Sequence, residues 1–380
     1  MISALILGAL ASAQAVLVSS PTGSYPVSMS IQSLTDSSRL DPYAPKNESH
    51  SRQVMISTFL PVDEAKTPCT GWERVPYMTP LVAKAYDQLG ASLGLPNGTF
   101  SDFQMEFCQT KARSCQTRRS KFPLVLFSPG WGNPRLLYGA MAREVASHGF
   151  TVVTIDHPYD PSFVEFPNGT VYQAANLDPE NSTVLETLTK ASRLVRAEDT
   201  SFVLSHFHEN PIPGVDLDRT IMFGHSLGGA TAAAAMLTDS RIRGGINLDG
   251  MLINPVLGAG LDQPFALVGR PGHAEEDPTW DEFYTSLRGA SVLLSVSGTT
   301  HASFTDFPVL ISSLNLTLPD EVRSLLEVEL GTLEFGRIEN VVAGIVEAFS
   351  HLSLDNQVGA LFTKEGDAAF PEVSVQQSNL

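Results

Sequence analysis

Arg219-Thr-Ile-Met-Phe-Gly224-His-Ser226-Leu-Gly228-Gly-Ala-Thr-Ala-Ala-Ala-Ala-Met236 decides how this chain folds. Thr220–Phe223 is a short apolar run of strand character, whereas Ala230–Met236 is rich in alanine, the residue with the highest helix propensity. Between them Gly224-His-Ser226-Leu-Gly228 fits the pattern G-x-S-x-G. In a strand-to-helix turn of this kind the serine is held on strained backbone with its hydroxyl above the sheet, and the glycines let neighbouring backbone pass close. The bare pattern is weak; the strand before it and the helix after it give it weight.

The same alternation recurs on both sides. Phe122-Pro-Leu-Val-Leu-Phe-Ser128, Phe150-Thr-Val-Val-Thr-Ile155, Gly245-Ile-Asn-Leu248, Pro264–Val268 and Ser291–Val296 read as buried strands. Helices are expected over Pro80–Leu93, Arg135–Ser147, about 183–207 and about 319–351. The last carries Ile338, Val342, Ile345 and Phe349 at helical spacing. Strands alternating with helices imply a mostly parallel sheet with helices on both faces, and with the strand–G-x-S-x-G–helix turn they point to an α/β-hydrolase fold. Two strand-like stretches, Tyr25–Leu34 and Gln53–Val62, form an N-terminal β extension. The chain reads as one catalytic domain over 16–356 with a loose tail over 357–380.

Hydrophobic residues make up 43% of the 380 and charged residues 17%, the balance of a cored globular protein. A formal net charge of −17 without a basic stripe argues against nucleic acid as a partner. Residues 1–15 join an apolar stretch to small residues in A-x-A spacing, as a cleaved secretory signal does, although a positive n-region is missing. An uncleaved anchor or a buried first strand is the alternative. Five N-x-[S/T] sequons, at Asn47, Asn97, Asn168, Asn181 and Asn315, suit a glycosylated extracellular chain. Of three cysteines, Cys69 and Cys108 flank the same small segment and are the preferred disulfide. Cys115 is then the odd thiol, in a polar loop, and the connectivity stays open.

A serine hydroxyl needs a base, itself oriented by a carboxylate, and in this fold the chain order is serine, acid, histidine. Only His273, His301 and His351 follow Ser226. His301 stands directly after the last buried strand and is the expected base. His351 suits a dipole partner at a helix end, and His273 lies in a polar loop. Asp249, directly after a buried strand, is the expected acid; Glu275, Glu276 or Asp277, one strand later, are the alternatives. The developing oxyanion needs donors. One is the Leu227 N–H; the other comes from Ser128-Pro-Gly-Trp-Gly132, where Pro129 has no N–H and leaves Gly130 or Trp131. His206 and His208 do not share a helix face, so no metal site is expected there. His157 either edges the site or packs a loop, Trp280 anchors a loop, and Met251–Leu261 walls a substrate pocket or packs in the core.

Together these segments resemble the platelet-activating-factor acetylhydrolase family. The likeness runs over Ser128-Pro-Gly-Trp-Gly132, Ser147-His-Gly-Phe-Thr-Val-Val153, Gly224-His-Ser-Leu-Gly-Gly229, Gly245-Ile-Asn-Leu-Asp-Gly250 and Thr300-His-Ala-Ser-Phe-Thr-Asp-Phe307. It extends more weakly to Thr35-Asp-Ser-Ser-Arg-Leu-Asp-Pro42 and Phe59-Leu-Pro-Val62. The resemblance implies Asp249 as the acid, Trp131 and Leu227 as oxyanion donors, and calcium-independent catalysis with no metal or other cofactor. It implies a small-molecule or lipid ester as substrate, such as the acetyl ester of an ether phospholipid. Peripheral contact with lipid surfaces fits such a substrate, and no obligate protein partner is implied. The signal and sequons make the chain resemble a secreted, fungal branch of such esterases. Pro129-Gly130 departs from the His-Gly frequent in the family, which bears on acyl-group fit. A broader carboxylesterase, lipase or cutinase-like polyester hydrolase would carry the same three residues. A non-catalytic binding module on this scaffold would be marked by a missing one, and none is missing.

Overall fold

The apolar runs lack a polar face because each is covered on both sides. In the computed structural model, which describes residues 15–92, 95–110, 121–175, 186, 195–316 and 319–380, Leu124 and Leu126 enter one hydrophobic layer while Val125 and Phe127 enter the other. All four are essentially inaccessible to water. A period of two along the strand therefore meets helices in both directions.

The main sheet has nine strands: β1 (Val27–Leu40), β2 (Ser51–Pro61), β3 (Phe122–Ser128), β4 (Thr151–Asp156), β5 (Val215–His225), β6 (Ile242–Leu248), β7 (Phe265–Gly269), β8 (Ser291–Val296) and β9 (Val373–Asn379). Their order is β9-β8-β7-β6-β5-β3-β4-β2-β1. From β4 to β8 every neighbouring pair is parallel. Antiparallel pairs add β2 and β1 at one edge and β9 at the other. Helices α1 (Gly139–Ser147) and α6 (Arg337–Asp355) cover one face. The other face is covered by α2 (Ala197–Glu209), α3 (Leu227–Thr238) and α4 (Pro278–Ser286). Strand β5, which leads to Ser226, lies between β3 and β6, so the loops leaving their C-terminal ends meet at its tip.

Two readings of the sequence are corrected. The helix expected over 319–351 is two helices, α5 (Asp320–Leu330) and α6. The chain breaks between them because the N–H groups of Thr332 and Leu333 turn to the Gly298 carbonyl (2.8 and 2.9 Å), on the loop before His301. The tail over 357–380 is not loose: β9 pairs with β8 along its length, and its first residue, Val373, is buried. The sheet thus extends beyond the boundary at 356. Of the helix expected over 183–207, the described part is α2; Asn181 and most of the residues before α2 lie outside the described residues.

A small sheet of Val16–Leu17, Phe103–Gln109 and Gly71–Pro76 stands beside the main one. It is cross-linked by the Cys69–Cys108 disulfide. Cys115 and the first fourteen residues lie outside the described residues. Asn47, Asn97, Asn168 and Asn315 are all exposed. Among the described residues no helix is long and apolar enough to cross a membrane.

Because β9 satisfies the outer edge of β8, removing residues 373–380 leaves that edge unpaired and uncovers apolar surface. The truncated chain is expected to melt at least about 5 °C lower in a thermal scan. An unchanged midpoint would show that the strand contributes nothing to the domain.

Candidate active site

Strand β5 ends at His225 and α3 begins at Leu227, so Ser226 alone makes the turn. It does so at φ 55° and ψ −123°, a left-handed conformation that costs a non-glycine residue about 1–3 kcal/mol. The surroundings enforce it. The Ser226 N–H donates to the Leu248 carbonyl at the end of β6 (2.8 Å). A Cβ on Gly228 would stand 1.9 Å from the Ser128 carbonyl oxygen, and one on Gly224 would stand 2.2 Å from the Gly228 backbone. Neither position admits a side chain, which accounts for both glycines of the motif. Ser226 is half-buried at the surface end of this turn.

Asp249 follows β6 directly, also at positive φ (54°), and its carboxylate is buried. One oxygen, Oδ2, accepts from His301 Nδ1 at 2.7 Å. The other, Oδ1, accepts from the Arg270 N–H at 2.9 Å and lies 2.8 Å from His273 Nδ1. Burial alone would raise this carboxyl, but the His273 and His301 imidazoles, with the Arg270 amide, hold it well below the usual carboxylate range. The His301 side chain is 51% exposed, and its ring centroid lies 4.5 Å from that of His225, the residue before Ser226. Its loop is secured from α5: Thr300 Oγ1 and Ser303 Oγ donate to the carbonyls of Glu329 (2.5 Å) and Leu330 (2.7 Å). Downstream, buried Asp306 accepts from Tyr77 Oη–H (2.7 Å) and from the Ala140 and Met141 amides (2.6 and 3.0 Å). Burial lifts its carboxyl to about 7 against these three hydrogen bonds.

A web of neutral groups joins this loop to the turn after β3. Burial, and then the His301 charge, push His225 down to about 3, so its ring is neutral. His225 Nε2 donates to the His301 carbonyl (3.0 Å), and Nδ1 accepts from Tyr138 Oη–H (2.8 Å). Tyr138 Oη in turn accepts from the Gly130 N–H (3.2 Å) and from Asn133 Nδ2 (3.0 Å). The Gly132 N–H donates to Asp160 Oδ1 (2.8 Å). With the Gly130 and Gly132 N–H groups so engaged, the Trp131 N–H between them makes no hydrogen bond among the described residues. Leu227 opens α3, so its N–H has no partner inside the helix.

Buried charges hold the β3 turn in place. Arg196 donates to the carbonyls of Pro129 (2.6 Å) and Gly130 (3.3 Å) and pairs with Asp160 (2.6 Å). His157 joins Ser128 Oγ (3.0 Å) to Asp199 Oδ2 (2.9 Å). Asp199 also receives Arg52 (2.7 Å) and Arg39 (2.9 Å). Asp36 and Asp41 pair with those two arginines in turn, which accounts for the Thr35–Pro42 segment in the likeness. His157 therefore packs beneath the site instead of edging it. Sequence reasoning missed Tyr138, Asp160, Arg196 and Asp199, since nothing local marks a tyrosine or a charge whose partners are distant in the chain.

Two of the alternative acids have other partners. Glu276 pairs with Arg270 (2.5 Å), and Asp277 caps α4 by accepting from the Thr279 N–H (2.9 Å). His351 pairs with Asp355 within its own helix (3.2 Å). Trp280 is buried, and its Nε1–H donates to the Gly250 carbonyl (2.8 Å), fixing the loop after Asp249. In the segment after Asp249, Ile253 forms a small apolar cluster with Leu227 and Ala230 beside Ser226. Met251 and Trp131 are exposed at 39% and 37%. Among the described residues no cluster of three or more His, Cys, Asp or Glu side chains could hold a metal ion.

Comparison with known proteins places this geometry in context. The model of the platelet-activating factor acetylhydrolase, isoform II, family matches residues 82–166, and that of the alpha/beta hydrolase family matches 125–338. A probable 1-alkyl-2-acetylglycerophosphocholine esterase of Arthroderma benhamiae is 30% identical over 98% of this chain and 97% of its own. The platelet-activating factor acetylhydrolase of Canis lupus familiaris is 26% identical over 49% of each chain. Among solved structures, a ferulic acid esterase from Streptomyces cinnamoneus superposes with a TM-score of 0.75 at 28% identity, covering 96% of this chain and all of that one.

Tyr138 carries the neutral web, so Tyr138→Phe leaves the Gly130 N–H and His225 Nδ1 without their shared partner. The variant is expected to lose about 1–3 kcal/mol of stability and to turn over an ester substrate about tenfold more slowly. Denaturant titration and steady-state kinetics read the two effects, and wild-type values in both would contradict the web's role.

Proposed function

The chain belongs to the platelet-activating-factor acetylhydrolase family of α/β-hydrolases, and on that footing we propose that it is a secreted serine esterase releasing short acyl groups through an acyl-enzyme. Its activity is ester hydrolysis. The observation that carries the serine mechanism is the 2.7 Å bond from His301 Nδ1 to the buried Asp249 carboxylate, with Ser226 held at positive φ at the tip of the adjoining strand.

In this reaction the Ser226 hydroxyl oxygen attacks the ester carbonyl carbon while His301 Nε2 takes its proton. Asp249 keeps the Nδ1–H tautomer and balances the positive charge that forms on the ring. The carbonyl oxygen, now negative, receives the N–H groups of Leu227 and Trp131. Collapse expels the alcohol, which takes the proton from His301. Water then attacks the acyl-serine with His301 again as base, releasing the acid and restoring Ser226. Each step is served by side chains and amides of this chain.

The small cluster of Leu227, Ala230 and Ile253 beside the serine supports a short acyl group. An acetyl ester of an ether phospholipid is the substrate that the Arthroderma relative's name suggests. Exposed Trp131 and Met251 at the rim support peripheral contact with a lipid surface. Secretion is supported by the apolar N-terminus, the exposed sequons, offered here as glycosylation sites, and the disulfide. The likeness to a ferulic acid esterase and the open site favour a broader carboxylesterase as the second reading.

Ser226→Ala and His301→Ala are each expected to lower kcat by about 10⁴-fold or more, with melting temperature unchanged. Across acetyl, butyryl and long-chain esters, kcat/KM should be highest for acetyl. Retained turnover in Ser226→Ala would overturn the mechanism, and a long-chain preference would overturn the substrate assignment.

A further inference from the structure

Asp249 meets two imidazoles, and the mechanism uses one. We propose that His273 is a positioning residue of the site: its imidazolium, set against the Asp249 oxygen that His301 leaves free, fixes the carboxylate and limits how tightly it holds a proton on His301. The inference rests on the triad reading above.

The geometry is that of a charge contact. His273 is buried. Its Nδ1 lies 2.8 Å from Asp249 Oδ1 and its Nε2 lies 3.5 Å from Asp277 Oδ2. Neither nitrogen has a hydrogen-bond partner elsewhere, so the ring is turned to these two carboxylates. The ring packs against Trp280 with centroids 4.2 Å apart, and Trp280 is itself tied to the Gly250 carbonyl beside Asp249. The charged groups facing His273 are therefore Asp249 from the loop after β6, Asp277 at the cap of α4, and Arg270 and Glu276 from the segment after β7. Arg270 and Glu276 pair with each other (2.5 Å). Arg270 Nε stands 3.7 Å from Asp249 Oδ2, so it reaches the carboxylate less closely than His273 does. Burial would lower the His273 ring, but the Asp249 and Asp277 carboxylates outweigh it and raise the ring to about 9, which keeps it charged at neutral pH.

A cation on the outer side of Asp249 has two consequences. It holds the carboxylate in the plane that His301 needs, and its field opposes the build-up of positive charge on His301. His301 then stays an available base to lower pH and returns its proton to the leaving alcohol more readily. With a neutral side chain at 273 the carboxylate's field falls on His301 alone, and the base is protonated at higher pH.

The test is the pH profile of kcat/KM on an acetyl ester for the full chain, wild type against His273→Gln. The acidic limb is expected to move about one pH unit higher, with kcat near neutrality lowered about tenfold and KM little changed. His273→Arg, which keeps a positive charge, should bring the limb back toward wild type. If His273→Gln folds too poorly to assay, Asp277→Asn serves, since asparagine still caps α4 and the ring holds its proton less firmly. Its limb should move the same way by less. An acidic limb that stays in place in these variants overturns the proposal. Ser226→Ala, run alongside, separates the failures: if it is inactive while the limb is unmoved, only the role of His273 falls, whereas turnover in Ser226→Ala removes the triad itself.

Discussion

Ser226 can stand at positive φ only while the backbones of two neighbouring strands close on it. The Ser128 carbonyl at the end of β3 sits where a Cβ on Gly228 would be, and the Leu248 carbonyl at the end of β6 takes the Ser226 N–H. The same contacts fix where the next residues go. Pro129–Gly132 follows Ser128, and Asp249 follows Leu248 with its carboxylate. One steric constraint at the tip of β5 thus sets the place of Ser226, Asp249 and the Pro129–Gly132 loop together, and parallel register carries it back into the sheet.

Charge does the rest of the positioning, and it is sorted by depth. Under the β3 turn lies a buried ionic frame running from Asp36 and Arg39 through Asp199 to His157 and Ser128. Buried charges of this kind are not a source of net stability, but removing one partner strands the other, so the frame makes the loop's position all-or-none. Closer to the nucleophile the links are neutral: Gly130, Tyr138, His225 and the His301 carbonyl. A neutral relay suits that place because His225 is fully buried, and burial pushes its ring to the uncharged form. Beyond Asp249 the pattern returns to ionic contact, at Arg270 and His273.

Much of the fold was legible because burial on both faces leaves a plain mark. Phe122–Ser128 and Phe150–Ile155 contain almost nothing polar, and only a strand covered twice needs that. The placing of Ser226, Asp249 and His301 was legible because each lies on the loop that leaves the end of such a strand, Ser226 and Asp249 at its first residue and His301 a short turn later. Strand β9 left no mark: Val373-Ser-Val-Gln-Gln-Ser-Asn379 is an edge strand exposed along most of its length, so its composition is that of a loop. The break between α5 and α6 depends on a carbonyl at Gly298, and the role of Tyr138 on a ring at His225. Both are contacts between distant parts of the chain. That the Gly130 amide is taken up by Tyr138 was hidden for the same reason.

The central claim is that one serine is far more nucleophilic than every other hydroxyl in the chain. It is tested most directly by treating the protein with a chromogenic organophosphonate and mapping the adduct by peptide mass spectrometry. The account predicts a single adduct per chain, on the peptide carrying Ser226, formed in step with loss of esterase activity. An adduct on another residue, or full inactivation with Ser226 unmodified, would contradict it.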